Sequence, residues 1–155
     1  MIYFDYTSTT KPKKELLELH QKINSEYWCN TEAMYKEGSR SYSLMEKSAN
    51  VACEALGVKN KKVLFTSGAT ESNNIVTKEF EYVLKSPYEH PSMQGVVWGD
   101  LQTDLNKMQR AGIQQGLVTC QMVNNELGTT FPTNSYAELV HKAGYKFMTD
   151  ATQAF

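Results

Sequence analysis

Lys62-Val63-Leu64-Phe65-Thr66-Ser67-Gly68-Ala69-Thr70-Glu71-Ser72-Asn73-Asn74 reads as an apolar strand, a small-residue turn and the opening of a helix. Such a junction is an anion cradle. The first backbone N–H groups of a helix have no internal partner, and the helix dipole adds partial positive charge there. Ser67 and Thr70 bring hydroxyl donors, and Gly68 lets the backbone approach a ligand closely. A phosphate suits such a turn. The same residues also read as an ordinary capped helix start, so on pattern alone both readings stay open.

Outward from this junction, strand and helix patterns alternate. That argues an α/β fold with a mainly parallel sheet flanked by helices. On the N-terminal side, residues 2–5 read as a short extended start. Residues 13–24 form a helix with Leu16, Leu19, His20 and Ile23 on one face, and residues 43–56 a second helix closed by Gly57. On the C-terminal side, residues 63–66 read as a strand and residues 69–80 as the helix after it. Residues 82–85 and 95–98 are short strands, and residues 104–111 a helix closed by Gly112. Residues 116–123 are the clearest strand, residues 135–143 a helix with Asn134 as its N-cap, and residues 145–149 a last strand.

A chain of 155 residues is about one domain long. Its net charge of −1 gives no electrostatic case for nucleic acid or an anionic membrane. No apolar run approaches the ~20 residues that span a bilayer, and Met1-Ile2-Tyr3-Phe4-Asp5 lacks the basic and apolar regions of a secretory leader. Cys29, Cys53 and Cys120 are odd in number and lack metal-ligand spacing, so no metal site is expected. Cys53 and Cys120 read as buried reduced thiols, which favours a cytoplasmic location.

In an open α/β sheet, ligands sit outside the carboxyl ends of the strands. Four polar clusters fall there: residues 66–71, then Glu89-His90-Pro91-Ser92, then Asn124-Asn125-Glu126-Leu127-Gly128-Thr129, then Asp150-Ala151-Thr152-Gln153. Polar clusters after successive parallel strands converge in space. Each also has a plain structural reading. His90, extended before a proline, reads as a loop residue. Asn124-Asn125 reads as a turn, and Asp150 as a solvated strand end or an N-cap.

The order and identity of these segments resemble the cysteine desulfurases, within the class V aminotransferase family of pyridoxal-phosphate enzymes. That family shows, in sequence, an L-D-x-x-A-T-T-like opening, then N-P-S-S, T-S-G-A-T-E-x-N-N, E-H-x-S/A-V, N-N-E-x-G and D-A-x-Q. This chain is similar at Phe4-Asp5-Tyr6-Thr7-Ser8-Thr9-Thr10, Asn30-Thr31-Glu32, residues 66–74, Glu89-His90-Pro91-Ser92-Met93, Asn124-Asn125-Glu126-Leu127-Gly128 and Asp150-Ala151-Thr152-Gln153. The resemblance implies part of a fold-type I large domain. Residues 1–155 would form a single domain, with residues 1–30 as an N-terminal segment and helix and residues 31–155 as a partial cofactor-binding core.

The resemblance also implies roles. Asp150 would pair with the pyridine nitrogen of pyridoxal 5'-phosphate, keeping the ring a better electron sink. His90 would stack on the ring and assist proton transfer. Gln153 would donate to the phenolic oxygen, and Asn125 would contact that oxygen or the substrate carboxylate. Ala69 and Thr70 would hold the phosphate, and Asn30 would lie near the substrate. L-cysteine would be the substrate, giving alanine and enzyme-bound sulfur destined for iron–sulfur clusters or thiolated tRNA. A homodimer and a sulfur-acceptor protein would be the partners.

The chain also departs from the family pattern. The family's Schiff-base lysine lies in an S-x-H-K-type segment, and no lysine here has that context. None of the three cysteines matches the family's sulfur acceptor. Thr31 and Glu32 replace the Pro and first Ser of N-P-S-S. The spacing from His90 to Asn125 is short, as if a crossover helix after Ser92 were missing, which would uncover one face of the sheet or alter strand order. The expectation is therefore a truncated desulfurase-like chain, inactive by itself. A selenocysteine lyase or another class V aminotransferase is the alternative within the family. A non-catalytic remnant that binds a partner subunit is the alternative outside it.

Overall fold

The computed structural model describes residues 2–59 and 61–154. In chain order the elements are α1 (Lys14–Glu26), α2 (Lys36–Ala55), α3 (Ala69–Thr77), β1 (Tyr82–Lys85), β2 (Val96–Val97), α4 (Leu101–Arg110), β3 (Gly116–Thr119), α5 (Thr133–Lys142) and β4 (Lys146–Met148). They fall into two compact units divided between Phe65 and Thr66. Among the described residues no helix is long and apolar enough to cross a membrane.

In the first unit, α1 follows the expected bounds closely. Helix α2 begins seven residues before the expected position 43. The low helix propensity of Gly38-Ser39 masks this start in the sequence, and tertiary contact overrides it. A Cβ at Gly38 would lie 2.4 Å from the Ala33 carbonyl oxygen, so the helix presses onto the turn before it. Ser41, buried, donates to the Tyr27 carbonyl at 3.1 Å. The far end of α2 closes as expected. Gly57 adopts φ +65°, and the Val58 N–H reaches back to the Cys53 carbonyl. Cys53 is half-buried, which corrects the fully buried position expected of it.

Residues 63–66 do not form the expected strand. Leu64 is 70% and Phe65 55% exposed, and no strand among the described residues pairs with them. Apolar composition favours a strand only where a neighbouring edge takes up its backbone groups. Residues 2–5 likewise remain outside any strand.

The second unit is built on a four-stranded sheet in the order β2-β1-β3-β4, with every pair parallel. All four residues of β3 are buried, the mark of a central strand covered on both faces. Leu84 from β1, Val118 from β3, Leu101, Leu105 and Met108 from α4, and Val140 from α5 form the core. Side chains alternate along a strand, so Val118 faces this core while Leu117 and Thr119 face the opposite side. Helix α4 starts three residues before the expected position 104, because Asp100 caps it by accepting the Thr103 N–H at 2.8 Å. In α5 the cap position belongs to Pro132, and Asn134 sits inside the first turn, not at the cap as expected.

The expected shortening after Ser92 is present. Strands β1 and β2 run parallel, yet only residues 86–95 join them and they contain no helix. Parallel neighbours ordinarily need a dozen or more residues of crossover. Val96 and Val97 are each 52% exposed, and a hollow of about 290 Å³ opens beside them, lined by Thr77, Phe80, Tyr82, Val83 and Gly95 among others. The sharp return depends on Gly95. Its φ is +145°, and a Cβ there would lie 2.6 Å from the Val83 carbonyl oxygen. Gly95→Ala is expected to destabilise the fold by about 2 kcal/mol in urea unfolding. An unchanged midpoint would show that the loop relaxes freely.

Candidate functional site

Helix α3 carries the turn that opened the sequence reading. The first intrahelical bond runs from the Ser72 N–H to the Gly68 carbonyl at 3.1 Å, so the N–H groups of Ala69, Thr70 and Glu71 precede the helical ladder. Ser67 is not available to a ligand as first read. Its N–H and hydroxyl both donate to Glu71 Oε2, at 2.6 and 2.7 Å. These bonds hold the Glu71 carboxyl below its ordinary range, the backbone N–H contributing most. Thr66 Oγ1 meets Ser72 Oγ at 2.8 Å and stiffens the same turn.

One turn further along α3, Asn73 is almost wholly buried, at 2% exposed. Its Nδ2 donates to Asp150 Oδ2 at 3.1 Å and to Ser92 Oγ at 3.0 Å. Ser92 Oγ in turn lies 2.8 Å from His90 Nδ1, and the Ser92 N–H donates to that nitrogen at 3.1 Å. One carboxamide therefore joins the loop after β1 to the loop after β4. The other carboxylate oxygen, Asp150 Oδ1, accepts the Thr152 N–H at 3.0 Å and its hydroxyl at 2.5 Å. Burial acts to raise the Asp150 carboxyl, but the bonds from Thr152 and Asn73, with the His90 charge, outweigh it and hold it below the usual range.

The strand ends are zipped together beneath these loops. The Met122 N–H donates to the Asp150 carbonyl at 2.9 Å, and the Thr149 hydroxyl donates to the Cys120 carbonyl at 2.8 Å. The Tyr88 carbonyl accepts from both Gln121 Nε2 and Asn124 Nδ2. Asn124-Asn125 is a turn, as its plain reading held. Asn124 Oδ1 accepts the N–H groups of Glu126 and Leu127, and Gly128 closes the turn onto the Asn124 carbonyl. Asn124 thus builds the loop, while the half-buried Asn125 carboxamide makes no hydrogen bond to another described residue. Gln153 is exposed in the turn directly after Asp150. Asn30 belongs to the other unit, where its Oδ1 accepts the Glu32 N–H at 2.9 Å.

Three functional features escaped the sequence reading. Asn73 and Ser92 lay inside quoted segments, but nothing in their spacing showed that they would bridge His90 and Asp150. Glu89 is the third. Burial pushes its carboxyl up to about 7; the Thr119 hydroxyl pulls it partway back, and the Asp150 charge adds to the rise. Neither Glu89 oxygen nor Thr119 Oγ1 completes a hydrogen bond among the described residues, although all three atoms are shielded from solvent. Cys120 lies beside this group, and burial raises its thiol to about 11. That disqualifies it as a nucleophile near neutral pH.

The sequence profile of the family described as Aminotransferase class-V matches residues 2–106 and 98–155, nearly the whole chain. The chain belongs to the class V aminotransferase family. A NifS/IcsS protein homolog of Lactobacillus delbrueckii subsp. bulgaricus is 30% identical over 164 aligned positions, covering 90% of this chain and 43% of that protein. Cysteine desulfurase IscS of Dictyoglomus turgidum is 24% identical over 176 positions, covering 98% of this chain and 45% of that one. The structure of a NifS-like protein from Rickettsia africae superposes with a TM-score of 0.87 at 25% identity, over 100% of this chain and 49% of its own. One described as SspA in complex with cysteine does so at 0.81 and 25% identity, over 100% and 52%.

The expected fold class and family are thus both borne out, and the enzymes of this family depend on pyridoxal phosphate. This class V aminotransferase chain spans less than half the length of the curated relatives it matches. The alignment to the Dictyoglomus protein runs over 176 positions against 155 residues here, so that relative carries residues this chain lacks. The helix-free link between β1 and β2 accords with such a difference. The residues present fit the cofactor. An open helix N-terminus suits its phosphate, and an ionised, hydrogen-bonded carboxylate suits a protonated ring nitrogen.

Proposed function

We propose that these residues are the N-terminal part of the cofactor-binding domain of a cysteine desulfurase-like enzyme, which takes sulfur from L-cysteine and leaves alanine. The observation that carries the reading is the Asn73 bridge, which links His90 and Asp150 at the side of the helix whose N-terminus is open to an anion. When bound, pyridoxal phosphate supplies a protonated aromatic ring that accepts electrons from a bond broken at the substrate.

The chain's own residues then bind and orient. The N–H groups of Ala69 and Thr70, with the Thr70 hydroxyl, hold the phosphate. The Asp150 carboxylate accepts from the ring nitrogen, and Thr152 and Asn73 keep it ionised and aimed. His90 would stack on the ring. Gln153 donates to the phenolic oxygen, and Asn125 contacts that oxygen or the substrate carboxylate. The proposal extends to a single domain, a homodimer, a sulfur-acceptor protein and a cytoplasmic location. The sulfur would serve iron–sulfur clusters or thiolated tRNA.

No lysine in these 155 residues has the context of the family's Schiff-base lysine. Incubated with L-cysteine and pyridoxal phosphate, the chain is therefore expected to release no sulfide above the background of free cofactor. The same chain is expected to bind pyridoxal phosphate saturably, read by the change in cofactor absorbance. Clear turnover would overturn the first expectation, and a linear, unsaturable response the proposal itself.

A further inference from the structure

The hydrogen bonds from Asn73 to Asp150 and to Ser92 have a fixed direction. An ionised carboxylate only accepts, so the Asn73 carboxamide must turn its NH₂ toward Asp150 Oδ2, 3.1 Å away. The second hydrogen of that group goes to Ser92 Oγ at 3.0 Å. Ser92 Oγ, occupied as an acceptor, has its own proton to give, and His90 Nδ1 stands 2.8 Å away. The Ser92 backbone N–H, which can only donate, points at the same nitrogen from 3.1 Å. Two donors thus converge on Nδ1, and a proton on that nitrogen would face both of them.

We infer that Asn73 and Ser92 are positioning residues that hold the neutral His90 ring in the tautomer protonated at Nε2, so that the imidazole meets a ligand as a hydrogen-bond donor. Which ring nitrogen carries the proton is set by the bond the other nitrogen makes. For His90 to accept a proton at Nε2 while neutral, Nδ1 would have to carry hydrogen, and the Ser92 N–H would lose its acceptor. Asn73 thereby serves two masters at once: it aims the Asp150 carboxylate and sets the polarity of the histidine. The consequence for a ligand rests on the reading of His90 as a cofactor-facing residue, whereas the tautomer does not.

The test uses the ¹⁵N-labelled chain without cofactor, at a pH where the ring is neutral. Long-range ¹H–¹⁵N spectra distinguish protonated from unprotonated ring nitrogens, and His90→Asn assigns the signal among the three histidines. The wild type is expected to show Nδ1 unprotonated and Nε2 protonated. Ser92→Ala, which keeps the backbone donor but loses the hydroxyl, is expected to move the ring to a mixture of tautomers. Ser92→Thr is expected to restore the wild-type pattern. A wild-type ring protonated at Nδ1 would overturn the inference, as would an Ala variant indistinguishable from wild type. Because no cofactor is present, failure of pyridoxal phosphate to bind would count against the proposed function and leave the tautomer result standing.

Discussion

Folding stability is expected to fall by on the order of 2 kcal/mol as pH rises from 5 to 8, and Glu89→Gln is expected to remove most of that fall. Burial raises the Glu89 carboxyl from its usual 4.5 to about 7. Between these values the folded chain keeps a proton that the unfolded chain has released. The folded state therefore binds more protons, and stability declines with pH across this window. The stabilising contribution is complete below the unfolded value and is lost as pH passes the folded one. The charged groups acting on Glu89 are Asp150, which adds to the rise, and Lys85, which opposes it. Asp150 itself acts in a different window. Its carboxyl is lowered, so its contribution is present above the unfolded value of 3.8 and disappears only in more acid solution. Urea unfolding of both proteins at pH 5, 6, 7 and 8 measures the effect. A wild-type curve as flat as that of Glu89→Gln would mean that Glu89 is solvated in solution.

Asp150→Ala is expected to weaken pyridoxal-phosphate binding roughly 100-fold, the cost of leaving a charged partner without its counterpart in a partly desolvated site. The carboxylate is held by Thr152 on one oxygen and Asn73 on the other, so its position is fixed before any ligand arrives. Asp150→Asn keeps the shape but loses the charge, and it should lie near the alanine variant if charge dominates. Asp100→Asn, at the cap of α4, is the control and should bind as the wild type does. Quenching of tryptophan fluorescence by added pyridoxal phosphate reports the affinity. Equal affinities for wild type and Asp150→Ala would remove this residue from the site.

The strand-then-helix alternation was legible because β3 is buried throughout and β1 buries Leu84, as the apolar pattern asks, and β1 falls on its expected residues. The helix-free link at residues 86–95 was legible from the spacing between His90 and Asn125, which is short against the family pattern. The stretch 62–65 was misread because its apolar composition matches a strand, while the neighbour that would make it one is not encoded locally. Helix α2 started early for the opposite reason: a contact between Gly38 and the preceding turn is invisible to propensity. In the site, Asp150 and His90 stood out by segment order. The Asn73 and Ser92 bridge did not, because it depends on two loops meeting that are far apart in sequence.

The ten-residue return between β1 and β2 also bears on how the chain reaches its native state. A loop of that length closes in about 10–100 ns, whereas β1 and β3 are separated by the thirty residues 86–115. On chain entropy alone the shorter closure is favoured by about 1 kcal/mol. The edge pair is thus expected to form ahead of the central pair, inverting the usual order in which a parallel sheet grows outward from its middle. Gly95→Ala, placed at that closure, should then slow refolding more than it hastens unfolding in stopped-flow kinetics. An effect confined to the unfolding rate would assign nucleation to β1 and β3 instead.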